Sequence, residues 1–218
     1  MRLPVRRAAA HPRHRARGET RNARVPIDVV RETPVSALVD GGNNVGYVAV
    51  YRGAEIAIAK AKQSGIAAVG VYNSYFSGRN AYYLERIVDA GLVGLHTASG
   101  SPHIVPPGAT RPALGTNPIA SGFPSADGPV IFDIGTASLM WGEVLLAAET
   151  GEALPPGLAF DADGNPTQDG RAAARGGVSA FGGHKGYGLA FAIQALGLLA
   201  GAAIPRGRVQ DYGFLFLV

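Results

Sequence analysis

The stretch IAAVGVYNSYFSGRNAYYLERIVDAGLVGLH, residues 66–96, contains two apolar runs separated by a polar loop and an amphipathic segment. Residues 66–72 form a run too short and too rich in β-branched residues for a helix, so we predict a buried strand. The polar loop leads into a predicted helix over 80–90, and a second strand follows over 91–96. This strand–helix–strand order with short links predicts an α/β or α+β fold.

Upstream of this stretch, the sequence predicts two further strands and a helix. β-Branched residues flank a turn at Glu32–Pro34, which indicates a strand on each side. GGNNVG (41–46) predicts a tight turn, and Ala and Ile recur at helical spacing over 51–64. Gly65 fits the C-cap of that helix.

The downstream half opens with a long irregular stretch. Residues 98–128 are rich in proline and glycine and are predicted to form no long element. Such a stretch inside a compact body is uncommon unless it lines a site. A strand over 129–133 and a helix over 136–149 are predicted to follow.

The last third is predicted to contain a polar stretch, an apolar helix and a strand. Residues 151–180 are glycine-rich, with turns at 163–166, and GGHKGY (182–187) opens an apolar helix that extends to about Leu199. The sequence finishes with an apolar strand, YGFLFLV (212–218), and no polar turn follows it. We therefore expect the chain to continue in a longer parent protein.

The composition is that of a folded domain. Of the 218 residues, 47% are hydrophobic and 17% are charged, which excludes wholesale disorder. No apolar stretch approaches the ~20 residues that a membrane span needs, so we expect no membrane partner. The absence of cysteine excludes disulfides, thiolate metal sites and cysteine nucleophiles.

The net charge of +4 is concentrated near the N-terminus. Residues 1–31 hold nine arginines against Glu19 and Asp28, while the remainder is mildly acidic. We predict that residues 1–25 form a basic, disordered arm. A transit peptide and a phosphate-binding arm are the alternatives. Because no aromatic residue is interleaved with the arginines for base stacking, we do not expect a nucleic-acid partner.

Familiar nucleotide and catalytic motifs are missing. Residues 41–46 do not fit G-x-G-x-x-G because position 43 is asparagine, and Lys185 is followed by glycine rather than by the serine or threonine of a phosphate-binding loop. The five histidines show no metal-ligand spacing, so no metal site is predicted. Any nucleotide site must therefore be of another design.

The segment 182–188, GGHKGYG, predicts either an anion site or an ordinary helix start with one exposed lysine. Glycines let the backbone approach a ligand closely, and the free amides of the following helix attract anions. His184 and Lys185 add positive charge at the same place. A diphosphate or a carboxylate suits that combination.

Three further segments are weaker candidates for a ligand-binding or catalytic site. The polar cluster 73–80 follows a strand, where ligands of α/β sheets bind, although Ser77 or Asn80 can equally cap the next helix. Thr116 and Asn117 offer hydrogen bonds to a small polar ligand, or form a turn before proline. Asp133 either orients a catalytic group or caps the helix that follows it.

Together and in this order, five segments resemble the type-2 malate/L-lactate dehydrogenase family. They are GNNVGYVA, NSYFSGRNAYY, ALGTNPIASGFP, FDIGTAS and GGHKGYGLA, and the resemblance covers residues 26–218. It implies hydride transfer between NAD or NADP and 2-hydroxy acids, 2-oxo acids or cyclic imino acids, in a cytoplasmic homodimer. It also implies a mixed-sheet, non-Rossmann cofactor domain (77–218) inserted into a discontinuous first domain, of which 26–76 is a part.

The resemblance implies roles for individual residues. Arg2 and Thr116 match substrate-contacting positions, and Asp133 is a possible orienting residue. The positions implied to contact the cofactor are Ser74, Phe76, Ser77, Gly78, Arg79, Asn80, Asn117, Asp133, Ile134, Gly135, Thr136, His184, Lys185 and Gly186. Arg79 is a candidate for favouring the 2′-phosphate of NADP.

Two departures from the family pattern bear on activity. Phe76 stands where the family pattern has a histidine, and a phenylalanine cannot transfer protons. The family's Ser-His-Gly motif, with its proton-donating histidine, precedes an R-L-P sequence that here begins at Arg2. We therefore expect the chain as written to be nearly inactive, with His184 and Tyr82 as the proton carriers left to consider. The alternative is a non-catalytic nucleotide- or nucleic-acid-binding remnant.

Overall fold

The computed structural model describes residues 25–202 and 212–218, which form an α/β fold. The strands are β1 (Asp28–Thr33), β2 (Ser36–Val45), β3 (Ala68–Tyr75), β4 (Gly94–Ser99), β5 (Ile119–Phe123), β6 (Val130–Ile134), β7 (Ala159–Phe160), β8 (Gly177–Val178) and β9 (Gly213–Leu217). The helices are α1 (Gly46–Ser64), α2 (Ala81–Asp89), α3 (Trp141–Thr150), α4 (Gly170–Ala173) and α5 (His184–Leu199). The predicted arm over 1–25 lies, except for Val25, outside the described residues, as does Arg2.

Seven strands form one mixed sheet in the order β1-β2-β3-β9-β4-β5-β6. The β2–β3 pair is parallel and every other pair is antiparallel. Because β9 runs antiparallel to both β3 and β4, those two strands point the same way and their carboxyl ends lie at one edge of the sheet. The mixed α/β sheet predicted from the sequence is confirmed.

Helices cover both faces of this sheet. α1 and α2 pack on one face, where Gly53 allows α1 to approach Val71 so closely that a Cβ would collide with that side chain. α5 packs on the other face, where the backbones of Gly197 and Gly213 meet. We call the buried residues between the sheet and the first two helices the sheet core. They are Ala37, Val39, Ala49, Val50, Ala54, Ala57, Ala61, Ala67, Val69, Val71, Tyr83, Leu84, Ile87, Ala98, Ala120, Phe214 and Phe216.

A second, smaller group of buried residues lies in the irregular segments around α3 and α4, and we call it the loop core. Its members are Ile104, Leu114, Ala137, Leu139, Val144, Ala147, Leu154, Ala159, Ala173, Val178, Ala180 and Ala190. The two-residue strands β7 and β8 pair within it, and isolated bridges join Ile104 to Leu114 and to Val178. Two cores therefore stabilise the described chain, one built on a regular sheet and one on loops.

Most predicted elements are present, but the segment 41–46 is not a tight turn. β2 continues through it as a bulged strand, with Gly42 and Asn43 at positive φ, and re-pairs with β3 at Asn44 and Val45. α1 then begins at Gly46 and ends, as predicted, at a left-handed Gly65 whose amide donates to Ala61. Pairing with β3 thus outweighs the local turn preference.

The predicted helix over 136–149 begins five residues later, at Trp141. The amide of Thr136 donates to the carbonyl of Thr116, and that of Ser138 donates to Ser179. These longer-range bonds replace the helical ones, so residues 136–140 form an irregular connection. The sequence also does not predict β5 within the irregular stretch 98–128.

The domain division at residue 76 remains a prediction. Strands from both sides of that position share the one sheet, so the hydrogen bonding itself marks no break there. Within residues 25–202 and 212–218, no helix has the length and apolarity to cross a bilayer.

Candidate functional site

A cleft of about 230 Å³ lies at the sheet edge where the carboxyl ends of β3 and β4 meet. The segments lining it come from the sheet and from the irregular chain around the loop core. They are Phe76, Ser77 and Gly78 after β3; Ala98, Ser99, Gly100, Ser101 and His103 along and after β4; Thr116, Asn117 and Pro118 before β5; Met140, Trp141 and Gly142 at the start of α3; and Tyr212 and Phe214 at β9. This is the position at which ligands of open α/β sheets bind.

Five of the residues implicated by the sequence line this cleft: Phe76, Ser77, Gly78, Thr116 and Asn117. The loop that carries the first three is held from behind, because the Tyr83 hydroxyl donates to the carbonyl of Ser77 at 2.7 Å. Burial, together with nearby tyrosines, raises the pKa of Tyr83, which therefore stays a neutral donor. The loop is thus positioned by a buried hydrogen bond.

Asp133 fixes the other end of the same loop. Asn80 precedes α2, but neither it nor Ser77 caps the helix with a side chain; the Ser77 hydroxyl donates to Asn80 instead. The cap is Asp133 Oδ2, which accepts from the amide of Ala81 at 2.8 Å. Of the alternatives that the sequence leaves open, capping of α2 by the side chain of Ser77 or Asn80 is therefore wrong. Capping of the following helix by Asp133 is also wrong, since Glu143 performs that task for α3.

Thr136 supports the Thr116–Asn117 part of the cleft wall from behind. Its amide and its hydroxyl both donate to the carbonyl of Thr116, at 2.8 and 2.9 Å, and the hydroxyl also reaches the carbonyl of Asn117 at 3.1 Å. Thr136 is fully buried. Residues 133–136 therefore lie directly behind the cleft walls and position them.

Other implicated residues lie outside the cleft lining. Ser74 is buried and its hydroxyl donates to the carbonyl of Asn44. Arg79 is exposed and pairs with Glu85 at 2.8 Å. Ile134 and Gly135 belong to the supporting segment, and an added Cβ at Gly135 would meet the sulfur of Met140, which does line the cleft.

The segment His184–Gly186 forms the first turn of α5, as predicted, after Gly182 and Gly183 at positive φ. His184 and Lys185 are exposed, and neither lines the cleft. Tyr82 is also absent from the lining and stacks on Tyr51. The anion site at this helix start remains a prediction.

Two aromatic residues that the sequence does not single out form one wall of the cleft. The His103 and Trp141 rings stack with centroids 3.8 Å apart and planes inclined by 11°. They are 38 positions apart and belong to no recognisable motif, so no sequence pattern links them. Among the described lining residues, His103 and Tyr212 carry the titratable side chains.

His96 is the other described histidine inside the fold, and it lies in the sheet core rather than in the cleft. Its ring stacks on Phe216 at 4.1 Å, and Nδ1 lies 3.1 Å from the carbonyl of Leu215, which fixes Nδ1 as the donor. Burial lowers the pKa of His96 to about 4, so its ring is neutral at physiological pH.

Comparison with known proteins identifies the class to which this arrangement belongs. The family profile of malate/L-lactate dehydrogenase matches residues 10–213. L-sulfolactate dehydrogenase of Methanothermobacter thermautotrophicus is 42% identical over 178 residues, which cover 81% of this chain and 52% of that protein. The chain therefore belongs to the malate/L-lactate dehydrogenase family of oxidoreductases.

Further relatives show how varied the family's named activities are. Delta(1)-pyrroline-2-carboxylate reductase 1 of Burkholderia ambifaria is 38% identical over 160 residues, covering 73% of this chain and 47% of that protein. The solved sulfolactate dehydrogenase of Methanocaldococcus jannaschii superposes with a TM-score of 0.74 at 35% identity, covering 88% of this chain and 58% of that one. The chain spans about half the length of the curated relatives it matches.

Proposed function

We propose that the protein is an NAD(P)-dependent oxidoreductase that transfers a hydride between a nicotinamide cofactor and a 2-hydroxy or 2-oxo acid. The observation that supports this most is the convergence of two separate family motifs on one cleft. NSYFSGRN supplies the wall at Phe76–Gly78, and GTNP supplies Thr116 and Asn117. Family membership supports the reaction class, and the names of the relatives supply the candidate substrates.

The described residues suit the two ligands that this reaction needs. Thr116 lines the cleft with a hydroxyl that can bond to a small acid, while its carbonyl is held by Thr136. Apolar and aromatic side chains, including Trp141 and Phe214, cover much of the remaining lining. A concave, mostly apolar surface with polar groups at particular positions is the usual form of a small-molecule site.

The cofactor is the group that supplies or accepts the hydride when it is bound. Asn117 lines the cleft, and its buried Oδ1 has no hydrogen-bond partner within the described residues, an acceptor that a ligand carrying a donor would satisfy. The proposed contacts are Phe76–Gly78 in the cleft wall, Arg79 and Asn80 next to it, Ser74 and Asp133–Thr136 behind it, and His184–Gly186 at the start of α5. A helix start of that kind suits phosphate oxygens.

Arg79 is the residue that bears on the choice between NAD and NADP. Arg79 is exposed and its charge is paired with Glu85 at the surface, so a 2′-phosphate has to compete with that carboxylate. Because exposed ion pairs are weak, such competition is feasible.

A homodimer is also proposed, and analytical ultracentrifugation at several protein concentrations tests it.

Titration with NADH and NADPH tests the proposed function. Trp141 is the sole tryptophan and lines the cleft, so a bound reduced nicotinamide quenches its emission and receives energy from it. We expect saturable binding of at least one of the two nucleotides. The titration is then repeated with L-malate, L-sulfolactate or Δ1-pyrroline-2-carboxylate present, to find which acid alters the affinity.

A matched pair of variants locates the acid. Thr116→Val removes a hydroxyl from the cleft, whereas Thr150→Val removes one from the exposed end of α3. We expect only the first to abolish the effect of the acid. Absence of binding of either nucleotide by protein with cooperative thermal unfolding would contradict the proposed function.

A further inference from the structure

The parallel pairing between β2 and β3 is interrupted shortly before β3 ends, and it then resumes. Asp40 pairs with Tyr72, and the next register pair is Asn44 with Ser74. Three residues of β2 therefore lie opposite a single residue of β3, Asn73, whose φ is +51°. A residue with positive φ is uncommon inside a strand, because it turns the chain away from its extended path. The interruption therefore sets the direction in which β3 reaches its end.

One carboxylate joins the two strands at the interruption. Asp40 Oδ1 accepts from the side-chain amide of Asn73 at 2.6 Å and from the backbone amide of Gly42 at 2.9 Å. Hydrogen bonds accepted by a carboxylate are shorter and stronger than those between neutral groups. We call the bond between Asp40 and Asn73 the tether. It holds Asn73 in its positive-φ conformation, while the bond to Gly42 holds the bulge of β2.

Beyond the interruption, the two strands pair again over a short stretch. The Ser74 hydroxyl donates to the carbonyl of Asn44 at 2.7 Å, and Val45 pairs with Tyr75. Ser74 is 1% exposed, so solvent does not compete for this bond. The position of this short ladder therefore follows from the geometry of the interruption before it.

Two segments leave the end of this ladder side by side. α1 begins at Gly46, and Phe76–Gly78, which we call the cleft loop, lines the cleft. The two segments are in contact, because an added Cβ at Gly46 would lie 2.9 Å from the backbone of Phe76 and of Ser77. A change in the direction of β3 at Asn73 would therefore displace the cleft loop.

We propose that Asp40 is a positioning residue for the cofactor: through Asn73 it fixes the end of β3 and, with it, the cleft loop. The inference rests on the proposed function, in which the cleft loop contacts the cofactor. Asp40 is not among the described residues that line the cleft, so it acts on binding through the chain and not by contact. The strand pairing before the interruption does not involve the tether, so we expect the sheet to stay folded without it.

Three variants test the tether. Asp40→Ala removes the acceptor, Asn73→Gly removes the donor but tolerates a positive φ, and Asp40→Asn keeps an acceptor oxygen without the charge. Quenching of Trp141 by NADH and by NADPH gives the dissociation constants, and urea unfolding gives the stability of each variant. We expect Asp40→Ala and Asn73→Gly each to weaken binding about tenfold, and Asp40→Asn to weaken it about threefold.

Asp161→Ala is the matched control. Asp161 is also a carboxylate that accepts backbone amides, those of Asp163 and Asn165, in the turn that follows β7. It is not among the described residues that line the cleft. We expect this variant to keep both dissociation constants within about twofold of those of the unaltered chain, whatever its effect on stability.

The double variant Asp40→Ala/Asn73→Gly separates positioning from a general loss of stability. Because either single change already breaks the tether, the double variant should bind the nucleotide no more weakly than the single variants do. A merely structural role would lower the free energy of unfolding and leave binding to the folded protein unchanged.

Each other outcome overturns the inference. Binding by Asp40→Ala within about twofold of the unaltered chain would show that the cleft loop does not depend on the tether. Losses that multiply in the double variant would show that the two residues act separately, and an equal loss in Asp161→Ala would show a general effect of stability. If Asp40→Ala does not fold, Asn73→Gly decides, and unchanged binding by it overturns the inference.

The unaltered chain distinguishes this failure from that of the proposed function. If that chain binds NADH or NADPH and the variants do not differ from it, the inference alone fails. If the unaltered chain is folded and binds neither nucleotide, the proposed function fails, and the inference that rests on it fails as well.

Discussion

The sheet core and the loop core both bury apolar side chains, but different backbone structures hold them in place. The sheet core contains large aromatic side chains such as Phe214 and Phe216, and a continuous ladder of seven strands holds its backbone. The loop core consists mainly of alanine, valine and leucine, and its strands are two residues long. Its backbone is held by isolated bridges and single loop hydrogen bonds.

This difference matters because the cleft lies where the two cores meet. The sheet supplies the ends of β3 and β4, while His103 and Trp141 belong to the segments around the loop core, against which Trp141 packs. Regions with few buried apolar contacts open at lower free energy than the global unfolding of a domain. We therefore expect the sheet to set stability and the loop core to set access to the cleft.

The largest effect is expected from Phe216→Ala. Phe216 is fully buried in β9 and stacks on His96, so truncation leaves a cavity in the middle of the sheet. Such changes cost about 3–5 kcal/mol. Urea unfolding followed by far-UV circular dichroism measures the loss. A loss below about 1 kcal/mol would contradict the assignment of stability to this sheet.

The corresponding change in the loop core is Ile104→Ala. Ile104 is also fully buried, and truncation there costs about 2–5 kcal/mol. The consequence should be local: hydrogen exchange should speed up at the amides of Val105 and Val178, but not at Val71 or Phe214 in the sheet. Equal acceleration in both sets would mean that the two cores open as one unit.

A pH dependence confined to the sheet core is the third prediction. His96 is neutral in the fold with a pKa lowered to about 4, whereas its unfolded pKa is 6.5, so only the unfolded chain takes up the proton between these values. The contribution of neutral His96 to the free energy of unfolding is fully present above pH 6.5. It falls by roughly 3 kcal/mol as the pH drops to about 4.

The variant His96→Leu isolates this contribution. It removes the titrating group and, by leaving the carbonyl of Leu215 without its donor, lowers stability by an amount that does not change with pH. The difference in unfolding free energy between the variant and the unaltered chain should therefore shrink as the pH falls from 6.5 to 4. A constant difference would show that His96 is not the group responsible.

The smallest effect on stability is expected from removing one helix cap beside the cleft and one in the loop region. Asp133→Ala removes the cap of α2 and should cost about 1 kcal/mol, and Asp169→Ala, which removes the cap of α4 in the loop region, should cost a similar amount. Only the first should also weaken cofactor binding, because α2 holds the loop Phe76–Asn80 in place. Calorimetric titration of both variants with NADH checks this, and equal affinities would contradict it.

The sequence predicts the elements of the sheet well because their patterns are local. The run 66–72 and the helix start after Gly182–Gly183 each carry their signal within a few residues. The bulged end of β2 is missed because its turn-forming residues pair with β3, 30 positions away. Likewise, Thr136 lies outside the helix that its sequence pattern predicts, because its hydroxyl donates to the carbonyl of Thr116. No local preference encodes that contact.

In the cleft, too, the residues found from the sequence are those that a local motif carries. Phe76–Gly78 and the Thr116–Asn117 pair are found from the sequence because motifs carry them. His103 and Trp141 become neighbours only when the loop core folds, and neither alone differs from an ordinary surface or core residue. That Asp133 caps a helix 52 positions earlier in the chain is equally invisible before the sheet brings β6 beside α2.

The central place of β9 has a consequence for how the chain is made. Gly213 in β9 pairs with Ser99 in β4 across 114 positions, so β3 and β4 leave the ribosome long before the strand that joins them. Until then both strands present open edges, and one of them carries the apolar run 66–72. Pairings so distant in sequence form slowly, and open apolar edges attract other chains. We therefore expect the nascent chain to be prone to aggregation until β9 inserts between β3 and β4.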